Sequence, residues 1–169
     1  MKTLKLFFFC VLCAITAQAN NYKSIRDFNV LPTNTSEVNK QNLQKAIDWA
    51  AQSGAALFVD PSETPYPVNG GIILKKNVSL IGVHGPTGRG TKHPSKNHPV
   101  GSVFSITDKD NPFISVQSAT QIRGIQFWYP EQTHTKADEI IKYKPTIQMS
   151  SDQRAHGVTL SCLTFYGEY

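Results

Sequence analysis

Cysteine is scarce in this chain, and where it occurs it excludes more than it offers. Of 3 cysteines in 169 residues, Cys10 and Cys13 fall in an N-terminal apolar segment that reads as a leader. Their C-x-x-C spacing therefore carries no redox or metal chemistry in the mature protein. Cys162 is left alone in an apolar run, which excludes an internal disulfide framework and suits a core residue better than a nucleophile. Long apolar runs are also missing. The stretch from Leu6 to Ile15 is too short to cross a bilayer, and nothing later is longer, so no membrane span is expected. Charge is sparse at 17%, but 40% of residues are hydrophobic, which excludes a disordered chain.

The leader has a recognisable grammar. Lys2 and Lys5 precede the apolar stretch, and Ala17-Gln18-Ala19 follows it as an A-x-A cleavage site. A signal peptide over residues 1–19 implies a secreted, periplasmic or cell-surface product; a retained signal anchor is the alternative. Residues 20–169 are then one domain. Losing Lys2 and Lys5 lowers the formal charge of +5, too modest a surplus, in an exported protein, for a nucleic-acid partner.

One helix is expected. Leu43, Ala46, Ile47, Ala50 and Ala51 form an apolar stripe at helical spacing, with Asn39 as N-cap and Gly54 as stop, giving a helix over about 39–54. The rest reads as strand and turn. Tyr22 to Val30 suggests a first strand. Short β-branched and aromatic runs follow at Ala56–Val59, Gly71–Leu74, Val78–Ile81, Ser102–Ile106, Phe113–Val116, Gln121–Trp128, Thr146–Met149 and Val158–Tyr166. Ala137 to Lys142 suits a short turn. The segments beginning at Val78, Thr120 and Val158 resemble one another at intervals of about forty residues, the mark of a stacked repeat. A β-sandwich is the rival architecture.

Several of these pieces together resemble a family. Leu43-Gln44-Lys45-Ala46-Ile47-Asp48, Leu57-Phe58-Val59-Asp60-Pro61, Tyr66-Pro67-Val68-Asn69-Gly70, Ile72-Ile73-Leu74 and Asn77-Val78-Ser79-Leu80-Ile81-Gly82 follow in order. They are similar to the start of the pectate lyase superfamily, with its rhamnogalacturonase-like, pectin-degrading and tailspike-like members. Ile122-Arg123-Gly124-Ile125-Gln126-Phe127 resembles its recurrent coil strand. The chain departs from the family at Phe28-Asn29-Val30, Val38-Asn39 and Pro61-Ser62-Glu63-Thr64. The resemblance implies an all-β fold, a right-handed parallel β-helix whose first coils, from about residue 56, are capped by the N-terminal α-helix. An open β-helix end exposes apolar interior and unpaired backbone, so a lid there is physically expected.

It also implies a function. The parent protein would be a polysaccharide lyase or glycoside hydrolase acting on an anionic, pectin-like polysaccharide. The apolar run Val158–Tyr166 sits at the end of the sequence with no polar or helical cap, so this chain reads as an N-terminal portion, missing C-terminal coils and inactive alone. A non-catalytic glycan-binding or structural surface β-helix is the alternative. A small, complete oligomeric β-domain is another.

The candidate binding residues are of two kinds. Between Glu63 and Asp108 there is no acid, while Lys75, Lys76, Arg89, Lys92 and Lys96 lie within; such a field draws a polyanion. A solubilising loop is the plainer account. Trp128, Tyr129 and Tyr166 could stack on sugar rings, with Phe127 and Phe165 turned inward by alternation; packing against the connection from Tyr129 to Thr146 is the alternative. For catalysis, hydrolysis needs two carboxylates, and β-elimination needs a base and a cation. Asp152, Arg154, His156 and Glu168 are the only polar cluster near the late strands. No metal site is expected: His84, His93 and His98 share one Gly/Pro-rich loop without ligand spacing. No cofactor is expected either, though the resemblance leaves room for a divalent cation in the parent protein. The run Gly85 to Lys92 echoes a phosphate loop, but its Lys follows the Thr and His93-Pro94 blocks the helix that would hold the phosphate.

Overall fold

In the computed structural model of the protein, residues 22–83, 98–132, 137–150 and 155–167 are described. The leader, Arg89, Asp152, Arg154 and Glu168 lie outside them.

The strands form three parallel sheets. One holds β1 (Tyr22–Ser24), β2 (Ala56–Val59), β5 (Ser79–Gly82), β8 (Gln121–Arg123) and β11 (Thr159–Ser161) in that order. A second holds β3 (Tyr66–Pro67), β6 (Val103–Ser105), β9 (Gln126–Trp128) and β12 (Thr164–Tyr166). The third holds β4 (Ile72–Leu74), β7 (Ile114–Val116) and β10 (Ile147–Met149). From β2 onward the chain visits the three sheets in fixed rotation and returns to the first one rung further along. Every strand pair is parallel, which removes the sandwich of antiparallel sheets. Stacked parallel sheets of this kind are compatible with a β-helix-like fold.

Register turns sequence alternation into columns of like residues. Leu57, Leu80, Ile122 and Leu160 are successive partners in the first sheet. Tyr66, Phe104, Phe127 and Phe165 align in the second, and Ile72, Ile114 and Ile147 in the third. Each column fills the interior, and its members are buried until the last rung. There Leu160 and Phe165 are 46% and 42% exposed and Ile147 is half-buried.

At the opposite end stands α1 (Ser36–Ser53). Leu43, Ala46, Ile47 and Ala50 are its buried stripe, packed on β2, β3 and β4. The helix begins three residues before the expected start. Thr35 is the N-cap, its hydroxyl accepting from Val38 N–H at 3.4 Å, while Asn39 lies inside the helix and is fully buried. Its amide donates to the carbonyls of Leu31 (2.7 Å) and Pro67 (2.8 Å), and its oxygen accepts from Leu31 N–H (2.9 Å) and the Asn34 amide (3.0 Å). Gln44 treats β4 in the same way, accepting from Ile73 N–H (2.9 Å) and donating to Ile73 O (3.2 Å). The lid therefore satisfies backbone groups along the strand edges as well as covering apolar side chains.

Two other expectations change. The first strand ends at Ser24, because Ser24 and Asp27 cap a 3-10 turn over Ile25–Phe28 that Asn29 closes at φ 59°. The runs Gln121–Trp128 and Val158–Tyr166 each divide into two strands of different sheets. The corners are Gly124 and Cys162, with φ of 69° and 52°, left-handed values that break an extended strand.

Candidate functional site

The outward side of the second sheet carries the two aromatics that alternation turns away from Phe127 and Phe165. Ser105, Trp128 and Tyr166 are consecutive partners across β6, β9 and β12, so Trp128 and Tyr166 occupy adjacent rungs, about 4.8 Å apart along the stack. Both are half-buried. The His98 ring lies 5.8 Å from that of Trp128, at an interplanar angle of 46°. The Tyr166 hydroxyl is buried without a hydrogen-bond partner among the described residues, and burial raises its pKa. The inward neighbours are as expected: Phe127 is buried, with Phe165 stacked on it.

Tyr129 takes the packing alternative. It is 2% exposed, its ring centroid 4.6 Å from that of Tyr143 and its hydroxyl bonded to the Thr146 hydroxyl. Ile125, Phe127 and Tyr129 are all buried, so alternation turns this ring to the inward side. Tyr143, from the long connection, covers it. The Tyr143 phenol is pushed up to about 12, first by burial and then by the charge of Glu131 and the hydrogen bond to it.

The basic candidates stand elsewhere. Lys75 and Lys76 lie in the turn between β4 and β5, which links the third sheet to the first. Lys75 is tied to Asp48 of α1 at 2.9 Å. Burial alone would raise the Asp48 pKa; the hydrogen bonds from Lys75 and Gln44 and the Lys75 charge outweigh it and leave it lowered. Lys76 is exposed, its backbone N–H donating to Gln117 Oε1 at 3.2 Å. These lysines and the Trp128–Tyr166 pair thus belong to different sides of the stack.

Of the catalytic candidates, only His156 is among the described residues. It is exposed before β11, where its N–H donates to Ser118 Oγ (3.1 Å) and its carbonyl accepts from Ala119 N–H (2.7 Å). Those bonds stitch one turn to the turn of the previous rung through the backbone of His156. Among the described residues, no group of three or more His, Cys, Asp or Glu is placed to hold a metal ion, and no helix is long and apolar enough to cross a membrane.

Two clefts beside α1 escaped the sequence reading. A polar one of about 430 Å³ is lined by Glu37, Lys40, Asn69, Thr107 and the loop Asp108–Asn111. A second, of about 330 Å³, is lined by Lys40, Gln41, Gln44, Lys45, Asp48 and Gly71. The available signal was the polar face opposite the apolar stripe: positions 40, 41, 44, 45 and 48 share one side of the helix. Comparison with protein-family models, curated proteins and solved structures finds no match to this chain.

Proposed function

We propose that the chain winds as a right-handed parallel β-helix of the pectate lyase kind, is exported, and engages an anionic, pectin-like polysaccharide along its outward aromatic face. The observation that supports this reading is the in-register pair Trp128 and Tyr166. Two amphipathic rings on adjacent rungs form a platform for the apolar faces of successive sugar rings. Lys76, exposed on another side of the stack, and the acid-free run between Glu63 and Asp108 favour an acidic polymer over a neutral one through their field rather than by contact at the platform. The parent activity implied by the resemblance, hydrolysis or β-elimination of that polymer, forms part of the proposal.

Titration of the purified protein with oligogalacturonates tests the binding. Binding that W128A weakens by about tenfold, with a neutral galactan bound more weakly, is the expected result. Equal affinity of W128A and wild type would remove the platform. Incubation with polygalacturonate should release neither unsaturated nor reducing ends. Either product would make the chain itself an enzyme.

A further inference from the structure

We propose that the groove between α1 and Gly71 is a carboxylate-binding subsite for an acidic saccharide, with Lys40 and Lys45 as its cations. Pairing within the groove is what singles it out. Gln44 is committed to Ile73 and to Asp48. Asp48 is neutralised by Lys75. The Gln41 amide donates to Glu37 Oε1 at 3.2 Å. Against these settled walls, neither Lys40 nor Lys45 has a hydrogen bond or ion pair among the described residues.

Lys40 also lies close against the chain. A Cβ on Gly71 would lie 3.3 Å from its ammonium nitrogen, so the amine sits over a backbone that lacks a side chain, at the groove floor. The acids on its far side accept hydrogen bonds from neutral groups. Glu37 accepts from Gln41 and Asn69, and its pKa is lowered chiefly by those bonds, with Lys40 a lesser contributor. Asp108 accepts from Gly70, Asp110 and Asn111. Two ammonium groups on one groove, without a hydrogen bond or ion pair among the described residues, can each give an external anion a charge-assisted bond. The groove walls are mostly methylene stems of Lys40, Gln44 and Lys45, which suits a ligand with an apolar ring face beside its carboxylate. The anion site stands on this geometry; the choice of a uronate as its carrier rests on the preceding reading.

Calorimetric titration of the whole purified protein with trigalacturonate and with its methyl ester separates the possibilities. K40Q/K45Q should weaken trigalacturonate binding by about tenfold, K40R/K45R should restore most of it, and wild type should bind the uncharged ester as weakly as the glutamine variant binds the acid. If K40Q/K45Q binds like wild type while W128A loses affinity, the subsite is overturned and the aromatic platform survives. If K40Q/K45Q weakens binding while W128A does not, the subsite holds and the platform fails. Equal binding of acid and ester, or full displacement by an equal concentration of sulfate, would overturn recognition of a carboxylated sugar.

Discussion

Phe165 stacks on Phe127 with ring centroids 5.2 Å apart and planes 20° from parallel, yet Phe127 is fully buried and Phe165 is 42% exposed. The two occupy the same register position on consecutive rungs, so they differ in what lies above them rather than in local structure. Phe127 also meets Phe104 and Phe113, at 6.4 and 5.6 Å. Truncating it empties the centre of an aromatic cluster. F127A should cost about 3–5 kcal/mol, and F165A under about 1 kcal/mol, by urea denaturation. Equal costs would mean that the last rung is as enclosed as the third.

The lid makes a sharper prediction through Asn39. Its amide uses two donors on carbonyls and its oxygen two donors from neighbours. N39A leaves the Leu31 and Pro67 backbone groups unpaired in the interior and should cost about 2–4 kcal/mol. N39D should cost at least as much at neutral pH, because a carboxylate would face two carbonyl oxygens. Burial and those oxygens raise the pKa of the introduced acid, so its neutral form is favoured in the folded state. The relative stability of N39D should therefore improve as pH falls through that raised value. A pH-independent deficit would show that Asn39 does not hold both carbonyls at once.

The bridging role of Asn39 was invisible in sequence, whereas much of the rest was legible. The stripe Leu43, Ala46, Ile47, Ala50 marked the buried face correctly, since 3.6-residue periodicity and one-sided burial are the same fact. Asn39 fits an N-cap by residue type, and only the path of Leu31 and Pro67, distant in sequence, makes it an interior bridge. The strand β3 was missed because two residues, one of them Pro67, carry no alternation. Tyr129 continues the inward alternation of Ile125 and Phe127, and what the sequence left open was that Tyr143 and Thr146 of the long connection meet its ring and hydroxyl. The clefts depend on Asn69, Gly71 and Asp108 meeting α1 across long stretches of chain, and no local pattern encodes that meeting.

A repeated turn offers a stabilising change. Asn77, Ala119 and Gly157 precede β5, β8 and β11 at equivalent positions, with φ of 62°, 55° and 66°. Ala119 N–H donates to His156 O at 2.7 Å, so the left-handed conformation is fixed by the stack rather than chosen by alanine. A non-glycine residue there costs roughly 1–2 kcal/mol, partly offset by the lower entropy of alanine in the unfolded chain. A119G should therefore stabilise by about 0.5–1 kcal/mol, and A119V should destabilise. A lower melting temperature for A119G would show that the alanine methyl contributes packing worth more than the strain.

Acid should loosen the loop that Asp108 organises. Burial alone would raise its pKa, but hydrogen bonds from Asp110 N–H, the Asn111 amide and N–H, and Gly70 N–H outweigh it and hold the carboxyl below the ordinary aspartate range. A carboxyl depressed on folding contributes stability that is complete above its unfolded value and disappears as pH falls through its folded one. D108N keeps the shape but loses the charge and one acceptor oxygen. At neutral pH it should be less stable than wild type by about 1–2 kcal/mol. Urea midpoints followed from about pH 6 down to about pH 2 should then converge, because protonated Asp108 and the asparagine both lack the charge-assisted bonds. A gap that stays constant through that range would mean that the Gly70 contact holds the loop by geometry alone, with the carboxylate charge contributing nothing.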